Sequence, residues 1–464
     1  MDTASTKKMV LFISILSSFL TPFMGSAVNI TLPSLGKELS ASVVMLNWVT
    51  TSYILTSAIC LVPFGVIADL YGRKKVFLYG IILFTFSSFL CSISVSIFTL
   101  LLFRVLQGIG GAMIMATGMA ILTSVFPSGE RGKAIGISTS AVYLGLSLGP
   151  FLGGILTQYA GWRSVFLTIL PIGLATIILI IWKLKGEWKE SKDGKIDWLG
   201  FFLYPLSIIS LMYGISILPR SLSWWLIIVG FLCLCLFVFW EKHQENPLIN
   251  TTIFRDNTIF TFSNISALIN YSATFGVTFL LALYLQYIKG INPQRSGMIL
   301  LAQPLMMTIF SPFAGRASDK IEPQLVASSG MFLNAVALFM LIFLGKNTSL
   351  SLVIANLALL GIGFALFSSP NTNAVMSSIP KSLYGVASGI LGTMRLTGQM
   401  TSMGIIMLIS TLYIGNVQIT PEYYPTFLIS MKISFAVFAF LCFIGIFTSI
   451  ARGKLHKNKS NTDF

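Results

Sequence analysis

The sequence predicts an all-α protein that crosses a membrane fourteen times. The chain of 464 residues is 55% hydrophobic and only 10% charged, which is more apolar surface than one soluble core can bury. Apolar runs near or above the roughly 20 residues needed to cross the hydrocarbon core recur from end to end. The basic residues gather on alternate connections between these runs. Together the three observations exclude a soluble globular protein and a protein with a single membrane anchor.

Fourteen apolar runs define the predicted spans. The first follows Lys7 and Lys8, as the core of a signal peptide would, but it is too long for one and no small-residue cleavage site precedes Lys37. We therefore expect it to be retained. The predicted spans are 9–31, 46–69, 76–95, 98–125, 134–157, 164–184, 197–217, 223–240, 259–288, 296–315, 324–344, 350–370, 384–412 and 428–451.

The positions of Lys and Arg set the predicted orientation. With the N-terminus inside, the cytoplasmic segments hold 20 of the 30 basic residues and the outer loops hold six. Cytoplasmic loops are normally enriched in Lys and Arg, and a missed or added span would reverse every later loop. The sequence therefore predicts a multi-pass protein of the cell (plasma) membrane with both termini in the cytoplasm.

The net charge of +15 follows from this topology, since the cations are spread over many loops rather than one face. We expect no nucleic-acid partner, and we expect the basic segment 452–459 to contact anionic lipid headgroups. All five cysteines fall in predicted spans, and both histidines lie in predicted cytoplasmic segments. No metal-ligand set can be assembled from them, and we expect no cofactor.

The spans divide into groups of six, two and six. A charged stretch follows the sixth span and a second polar stretch follows the eighth. The predicted domains are an N-terminal six-helix bundle (1–184), a linker with two additional transmembrane helices (185–258), a C-terminal six-helix bundle (259–452) and a cytoplasmic basic tail (453–464).

Three motifs carry a resemblance to a known family. The loop after the second span reads G-V-I-A-D-L-Y-G-R-K-K (65–75), the fourth span contains R-V-L-Q-G-I-G (104–110), and the fifth contains G-L-S-L-G-P-F-L-G-G (145–154). They resemble the loop signature G-x-x-x-D-x-x-G-R-K, the fourth-helix arginine motif and the fifth-helix antiporter motif of the major facilitator superfamily. With fourteen spans, the chain resembles its drug:proton antiporter branch. The resemblance implies a major facilitator fold of two six-helix bundles plus two extra central helices.

Two short loops are predicted to act in gating. Gly65 and Asp69 of the first loop recur 250 residues later as Gly315 and Asp319, in a less complete copy of the motif. Internal repeats of this kind occur in transporters built from repeated bundles. The resemblance implies a cytoplasmic latch, in which Asp69 pairs with a neighbouring Arg or with a helix N-terminus of the other half. A plain positive-inside loop is the alternative, but it does not explain an acid and two spaced glycines before the cations. The predicted gating residues are Gly65, Asp69, Gly72, Arg73, Lys74, Gly315, Arg316 and Asp319.

Polar side chains inside the spans are predicted to line a solute pathway, since such groups normally face protein or water. Arg104 has an alternative, which is to snorkel to the outer surface from a position about two turns into its span. Arg395 lies deeper and forms a polar stripe with Gln399. The predicted pathway residues are Asn29, Arg104, Gln107, Asn270, Gln303, Arg395 and Gln399.

The fifth span carries glycines around a proline. Glycines reduce the bulk of one helix face and a proline removes one backbone hydrogen bond, so the helix can bend. Ordinary close packing explains the glycines equally well. In the resembled family this pattern accompanies export, which implies outward transport. The motif residues are Gly145, Gly149, Pro150, Gly153 and Gly154.

The chain lacks an acidic residue deep in any predicted span. The first helix of the resembled branch usually reads L-D-x-T-I-V-N-V-A-L-P, and alignment on Asn29 and Pro33 places Met24 where the Asp would be. Proton coupling commonly uses an acidic side chain inside the membrane. A cationic solute would also need such a carboxylate as its ion-pair partner. We therefore expect a neutral or anionic amphipathic solute, with coupling through Asp69, Asp319 or an ion other than the proton.

The predicted function is a secondary active transporter, not an enzyme, which works by alternating access and exports lipophilic or amphipathic compounds. The alternative is a carrier or exporter of an organic anion or lipid-like metabolite, which arginines without acidic partners favour. A membrane-embedded enzyme would need clustered His, Cys or carboxylates, and a sensor would need a soluble output domain. The expected partners are an amphipathic small-molecule substrate, a coupling proton or sodium ion and membrane lipids, and we expect a monomer.

Overall fold

The structure, a computed structural model, describes residues 3–126, 128–184, 186–187, 197–244, 254–255, 257–380 and 384–453. These residues form long helices and no strand. The helices are α1 (Thr3–Glu38), α2 (Val43–Tyr71), α3 (Arg73–Ser92), α4 (Ile97–Val125), α5 (Ser128–Ala160), α6 (Arg163–Leu167 and Ile169–Lys183), α7 (Trp198–Ser216), α8 (Ser221–Glu241), α9 (Thr258–Thr274, Gly276–Leu283 and a π turn, Tyr284–Ile288), α10 (Pro293–Leu300 and Ala302–Lys320), α11 (Pro323–Leu341), α12 (Leu350–Ser377), α13 (Tyr384–Tyr413) and α14 (a 3₁₀ turn, Pro421–Tyr423, and Tyr424–Ala451).

The predicted all-helical, fourteen-span architecture is confirmed. Thirteen of the helices are, over their described residues, long and apolar enough to cross a membrane by length and composition. The other is α13, which has 30 residues and carries Arg395 and Gln399 near its middle. These polar side chains lower its mean hydropathy, although its length is ample for a span.

The helices extend beyond several predicted spans. Helix α1 runs from Thr3 to Glu38 and contains Pro22 and Pro33 in its interior, whereas the predicted span covered 9–31. Prolines are tolerated in membrane helices because neighbouring helices and polar side chains satisfy the backbone groups that they release. The apolar stretch therefore marks the part of the helix that lies in lipid, not its ends.

The described chain forms two compact units. Unit 1 holds α1 to α8 with the short segments Asn292–Gly297 and Asn416–Gln418, and unit 2 holds the rest of α9 to α14. The four predicted domains, with their bounds, stay predictions. Most of the charged stretch after α6 and the tail from residue 454 onward lie outside the described residues.

The same order of helix packing occurs in each unit. In unit 1, α1 packs on α5, α2 on α4, and α3 on both α4 and α6. In unit 2, α9 packs on α13, α10 on α12, and α11 on both α12 and α14. Each pair in unit 2 is a pair of unit 1 moved eight helices along the chain, which agrees with the internal repeat in the sequence. Helices α7 and α8 form a hairpin within unit 1, and α7 contacts α2.

Small residues allow these close helix contacts. A Cβ atom on Gly110 of α4 would lie 2.6 Å from the backbone nitrogen of Phe84 on α3. A Cβ atom on Gly330 of α11 would lie 2.5 Å from the carbonyl oxygen of Gly363 on α12. Lipid supplies no hydrophobic force between helices, so such backbone approach provides the van der Waals contact that holds them.

Candidate transport sites and gating loops

Arg104 joins three helices of unit 1. Its side chain is fully buried, and its Nε donates to the carbonyl oxygen of Val49 on α2 at 3.0 Å. The guanidinium carbon lies 4.5 Å from the ring centroid of Tyr53. Its Nη1 donates to Gln107 Oε1, and Gln107 Nε2 donates to Ser88 Oγ of α3 at 2.6 Å. Arg104 therefore does not snorkel to the surface in this structure.

Helix α4 approaches α2 closely beside Arg104. A Cβ atom on Gly108 would lie 2.7 Å from the carbonyl oxygen of Tyr53, so the absence of a side chain there brings the arginine over the tyrosine ring. Elsewhere in unit 1, Asn29 of α1 accepts a hydrogen bond from Thr50 Oγ1 of α2 at 3.1 Å. These contacts place the polar groups of unit 1 at helix junctions.

Arg395 occupies a more open junction in unit 2. The side chain is partly exposed, and its Nη2 donates to Thr372 Oγ1 of α12 at 2.8 Å. Its guanidinium carbon lies 5.7 Å from the ring centroid of Tyr271 on α9. Gln399, one turn later, is also partly exposed. The structure thus brings Arg395 and Gln399 onto one face of α13.

The other predicted pathway residues of unit 2 are buried. Asn270 of α9 accepts a hydrogen bond from Asn334 Nδ2 of α11 at 3.1 Å, and Gln303 of α10 packs against Gly361 of α12. Asn334 was not among the predicted residues. Its sequence signal is a single amide in the otherwise apolar middle of α11.

The expectation of a loop at 65–75 is wrong for most of its residues, because α2 continues to Tyr71 and α3 begins at Arg73, with Gly72 alone between them. Charged side chains hold this junction, which we still call the first gating loop. Arg73 Nε donates to Asp69 Oδ1 at 2.8 Å, and Arg73 Nη1 donates to Ser124 Oγ of α4 at 3.0 Å. Gly72 has φ +117°, a conformation that favours glycine. The backbone N–H of Lys74 donates to Glu187 Oε1 at 2.8 Å. A carboxylate from the segment after α6 therefore caps the first turn of α3, a partner that sequence reasoning missed.

The second predicted loop is also helical, since Gly315, Arg316 and Asp319 lie in the last turns of α10, and it is held by uncharged side chains. A Cβ atom on Gly315 would lie 3.1 Å from Ser369 Oγ of α12, and Asn373 Nδ2 of α12 donates to Ser318 Oγ at 3.1 Å. Arg316 is exposed, and the side chain of Asp319 lies outside the described part of the chain. Both loops are thus tied to the helix that packs on them, α4 in unit 1 and α12 in unit 2.

Three glycines of the α5 motif face α1. Cβ atoms on Gly145 and Gly153 would lie 2.7 Å from the carbonyl oxygen of Phe19 and 3.1 Å from that of Ala27, respectively. A Cβ atom on Gly149 would lie 3.0 Å from the backbone nitrogen of Ala27.

Pro150 lies inside α5 between these contacts. Gly154 faces another way, since its Cβ would lie 2.6 Å from the carbonyl oxygen of Pro293 within unit 1. The motif therefore produces backbone contact on more than one side of α5.

A buried arginine follows the last helix. Arg452 is 1% exposed, its Nε donates to the carbonyl oxygen of Ser449 at 2.9 Å, and its Nη1 donates to Asn371 Oδ1 of α12 at 3.1 Å. Burial lowers the pKa of Arg452 to about 10, so the group stays charged at neutral pH. The expectation that the basic tail from residue 452 contacts lipid is wrong for Arg452, because its guanidinium turns into the bundle.

A polar clasp closes one end of unit 1. Glu38 Oε2 accepts a hydrogen bond from Trp162 Nε1 at 2.8 Å, Glu38 Oε1 accepts another from Arg163, and Arg163 Nη2 donates to the carbonyl oxygen of Ser94 at 3.0 Å. The clasp joins the end of α1 to the turns before α4 and α6. The sequence analysis did not predict this cluster, and its one sequence sign is that the predicted spans leave Glu38 and Arg163 in connections on the same side of the membrane.

Comparison with known proteins agrees with this architecture. The family model described as Major Facilitator Superfamily matches residues 14–402 and 263–462. The riboflavin transporter RibZ of Clostridioides difficile is 28% identical over 444 residues, which are 96% of this chain and 97% of that protein. The multidrug resistance protein Stp of Mycobacterium tuberculosis is 32% identical over 381 residues, 80% of this chain and 70% of that protein.

Two further similarities concern an exporter and a solved structure. The tetracenomycin C resistance and export protein of Streptomyces glaucescens is 28% identical over 84% of this chain and 73% of its own length. A crystal structure of the peptide transporter POT in complex with alafosfalin has a TM-score of 0.70 at 13% identity and covers 98% of this chain and 99% of that one. That structure supports the fold alone. On the helix packing, the motifs and these matches, the chain belongs to the Major Facilitator Superfamily of membrane transporters.

Proposed function

We propose that this chain is a secondary active transporter that works by alternating access and exports lipophilic or amphipathic compounds. The observation that carries the proposal is the contact of α5 with α1, where glycines on both sides of Pro150 meet the α1 backbone. A proline weakens the backbone ladder of one helix, and the glycines keep α5 in contact with α1 without interlocking side chains that would fix one crossing angle. Such a pair of helices can change its mutual angle at low cost.

The names of the relatives support a small-molecule solute. Two of those reported above are called multidrug resistance or export proteins, and one is called a riboflavin transporter. No described carboxylate lies in the middle of a helix of either unit, so the spans offer no fixed anion for a cationic drug. We propose neutral and anionic amphiphiles, with riboflavin as one compound to test.

Coupling is proposed to run through the acids of the gating loops or through an ion other than the proton. The test uses the purified full chain in proteoliposomes under an imposed proton or sodium gradient, with a panel of labelled amphiphiles that includes riboflavin. We expect one gradient to drive accumulation and an ionophore to abolish it. Absence of gradient-driven movement of every compound under either gradient would contradict secondary active transport.

Asp69→Asn, Asp319→Asn and the double variant test the acids under the same conditions. We expect the double variant to retain insertion and to lose gradient-driven accumulation if the proton is the coupling ion. Glu422→Gln, which neutralises an exposed acid in the 3₁₀ turn before α14, is the matched control. Strict proton coupling in the double variant would contradict a coupling role for Asp69 and Asp319, but it would not contradict the proposal that the chain is a transporter.

A further inference from the structure

The junction around Arg395 has the features of a binding subsite within unit 2. In the described part of the chain, one of its five N–H donors has a partner, the Nη2 bond to Thr372. Its Nε is enclosed and has no hydrogen-bond partner. None of the ion pairs between described side chains includes Arg395. The guanidinium therefore carries a positive charge and donor capacity that the protein itself does not use.

An aromatic surface lies beside this charge. The ring of Tyr271 packs edge to face against Phe364, with a centroid distance of 5.3 Å, and the guanidinium carbon of Arg395 lies 5.7 Å from the Tyr271 centroid. Phe364 is buried and Tyr271 is partly exposed. A planar cation next to an exposed ring face can hold a ligand that has an acidic group and an apolar body.

The backbone holds the two groups in register. A Cβ atom on Gly398 of α13 would lie 2.5 Å from the carbonyl oxygen of Leu268 and 2.8 Å from Tyr271 Cβ. The missing side chain lets α13 touch α9 at the tyrosine, and Arg395 lies nearly one turn before Gly398. The subsite thus lies on the rigid contact of two helices, which is the arrangement that precise recognition needs.

We propose that Arg395 binds the acidic head of the exported solute, a carboxylate or sulfonate, while Tyr271 contacts its apolar or aromatic body. This inference rests on the proposed function and narrows the substrate class to anionic amphiphiles. An oxyanion accepts from the planar fork of a guanidinium in a way that a neutral head or a cation cannot. Lysine at this position would keep the charge but lose the fork and its stacking on the ring.

The test measures direct binding of three probes that share one apolar body to the purified full chain in nanodiscs. The probes are a naphthylbutanoate, the matching naphthylbutanamide and a naphthylpropyl-trimethylammonium ion. We expect the carboxylate to bind most tightly to the wild type. Arg395→Gln should weaken its binding by about tenfold or more, the loss expected for a charge-assisted hydrogen bond, and should change amide binding little.

Two further variants keep the test decisive. Arg395→Lys provides a variant that keeps the charge should Arg395→Gln fold poorly, and we expect it to weaken carboxylate binding by a smaller factor. Lys432→Gln removes another partly exposed cation from unit 2, on α14, and should change nothing. Carboxylate binding that is equal in wild type and Arg395→Gln, or a similar loss for all three probes, would overturn the proposal.

The two proposals fail separately. Gradient-driven transport of the amide or the ammonium probe without any preference for the carboxylate would overturn the Arg395 assignment and leave the transporter intact. Transport of no probe under either gradient would contradict the proposed function, while the binding measurements would still decide whether Arg395 recognises an acidic head.

Discussion

Arg104 and Arg395 lie at helix junctions that are built from similar residues but differ in how much of the arginine is exposed. Each guanidinium is near a tyrosine ring of another helix, and each is followed within about one turn by a glycine that contacts that helix's backbone. Arg104 is sealed among α2, α3 and α4. Arg395 is partly exposed, with a single hydrogen bond to another helix. An arginine beside a tyrosine is thus buried between helices in unit 1 and is partly accessible in unit 2.

The difference follows from the partners that each helix offers. Arg104 meets the Val49 carbonyl and Gln107, which is itself held by Ser88, so two of its five N–H donors bond to other groups of unit 1, while its buried Nη2 has no partner among the described residues. Arg395 meets one hydroxyl, that of Thr372. A fully buried guanidinium that bonds to two neighbouring groups stabilises one arrangement of helices and is closed to a solute, whereas a partly exposed guanidinium with unused donors can bind a ligand. Substitutions at the two positions should have different consequences.

The largest effect is expected from Arg104→Lys. A lysine cannot reach the Val49 carbonyl and Gln107 together while stacking on Tyr53, and lost hydrogen bonds to a buried charged group cost about 2 to 3 kcal/mol. We expect a lower melting temperature of the purified protein and a fall in transport that matches the fall in folded protein. Arg395→Lys, the matched change in unit 2, should melt like the wild type. A normal melting temperature for Arg104→Lys with transport lost would instead support the predicted pathway role of Arg104.

A smaller effect is expected at the glycine of the open junction. In Gly398→Ala, the added methyl would meet the Leu268 carbonyl and Tyr271 Cβ, and overpacking of this kind costs about 1 to 3 kcal/mol. We expect reduced transport per folded protein because α13 moves away from Tyr271. Gly389→Ala on the same helix is the control, since no atom lies within 4 Å of its Cβ position.

Gly389→Ala should be neutral or slightly stabilising, because alanine is the better helix former by about 1 kcal/mol. Opposite signs at the two glycines, measured by melting temperature and by transport, would support the contact of α13 with α9 as the element that positions Arg395. Equal behaviour of the two variants would contradict it.

Features within one helix could be predicted from the sequence, whereas contacts between helices that are distant in the chain could not. The spans, the glycine face of α5 and the polar stripe of Arg395 and Gln399 follow from hydropathy and helical spacing alone. The burial of Arg104 depends on Val49 and Ser88, which no spacing rule links to it. Arg452 was expected to contact lipid headgroups because it follows an apolar run, yet its hydrogen-bond partner Asn371 on α12 precedes it by 81 residues.

The two predicted gating loops also differ between the units. In unit 1, Gly72 precedes α3 with φ +117°, and Glu187 caps the Lys74 N–H. In unit 2, the equivalent place holds Glu322 followed by Pro323 as the first residue of α11. Proline at a helix start has no N–H to satisfy and its φ is already helical. The start of α3 therefore depends on a glycine and a distant acid, whereas α11 begins with a proline.

An effect of similar size to that of Gly398→Ala is expected from Gly72→Ala. Its backbone conformation would strain an alanine by about 1 to 3 kcal/mol, and the new Cβ would meet the Glu187 carboxylate at 2.5 to 2.6 Å. We expect reduced transport with normal membrane insertion. Gly65→Ala, about two turns earlier on α2 and with open space at its Cβ, should behave like the wild type.

Glu187 separates the two causes of the Gly72 effect. Removal of the carboxylate in Glu187→Ala leaves the strained φ of Gly72→Ala but relieves the crowding, so the double variant should recover part of the lost transport. Glu187→Ala alone should lower transport slightly, because the Lys74 N–H at the start of α3 loses a negatively charged acceptor. No recovery in the double variant would mean that backbone strain alone explains the glycine. A wild-type rate in Glu187→Ala would show that the cap holds the loop without contributing to its movement.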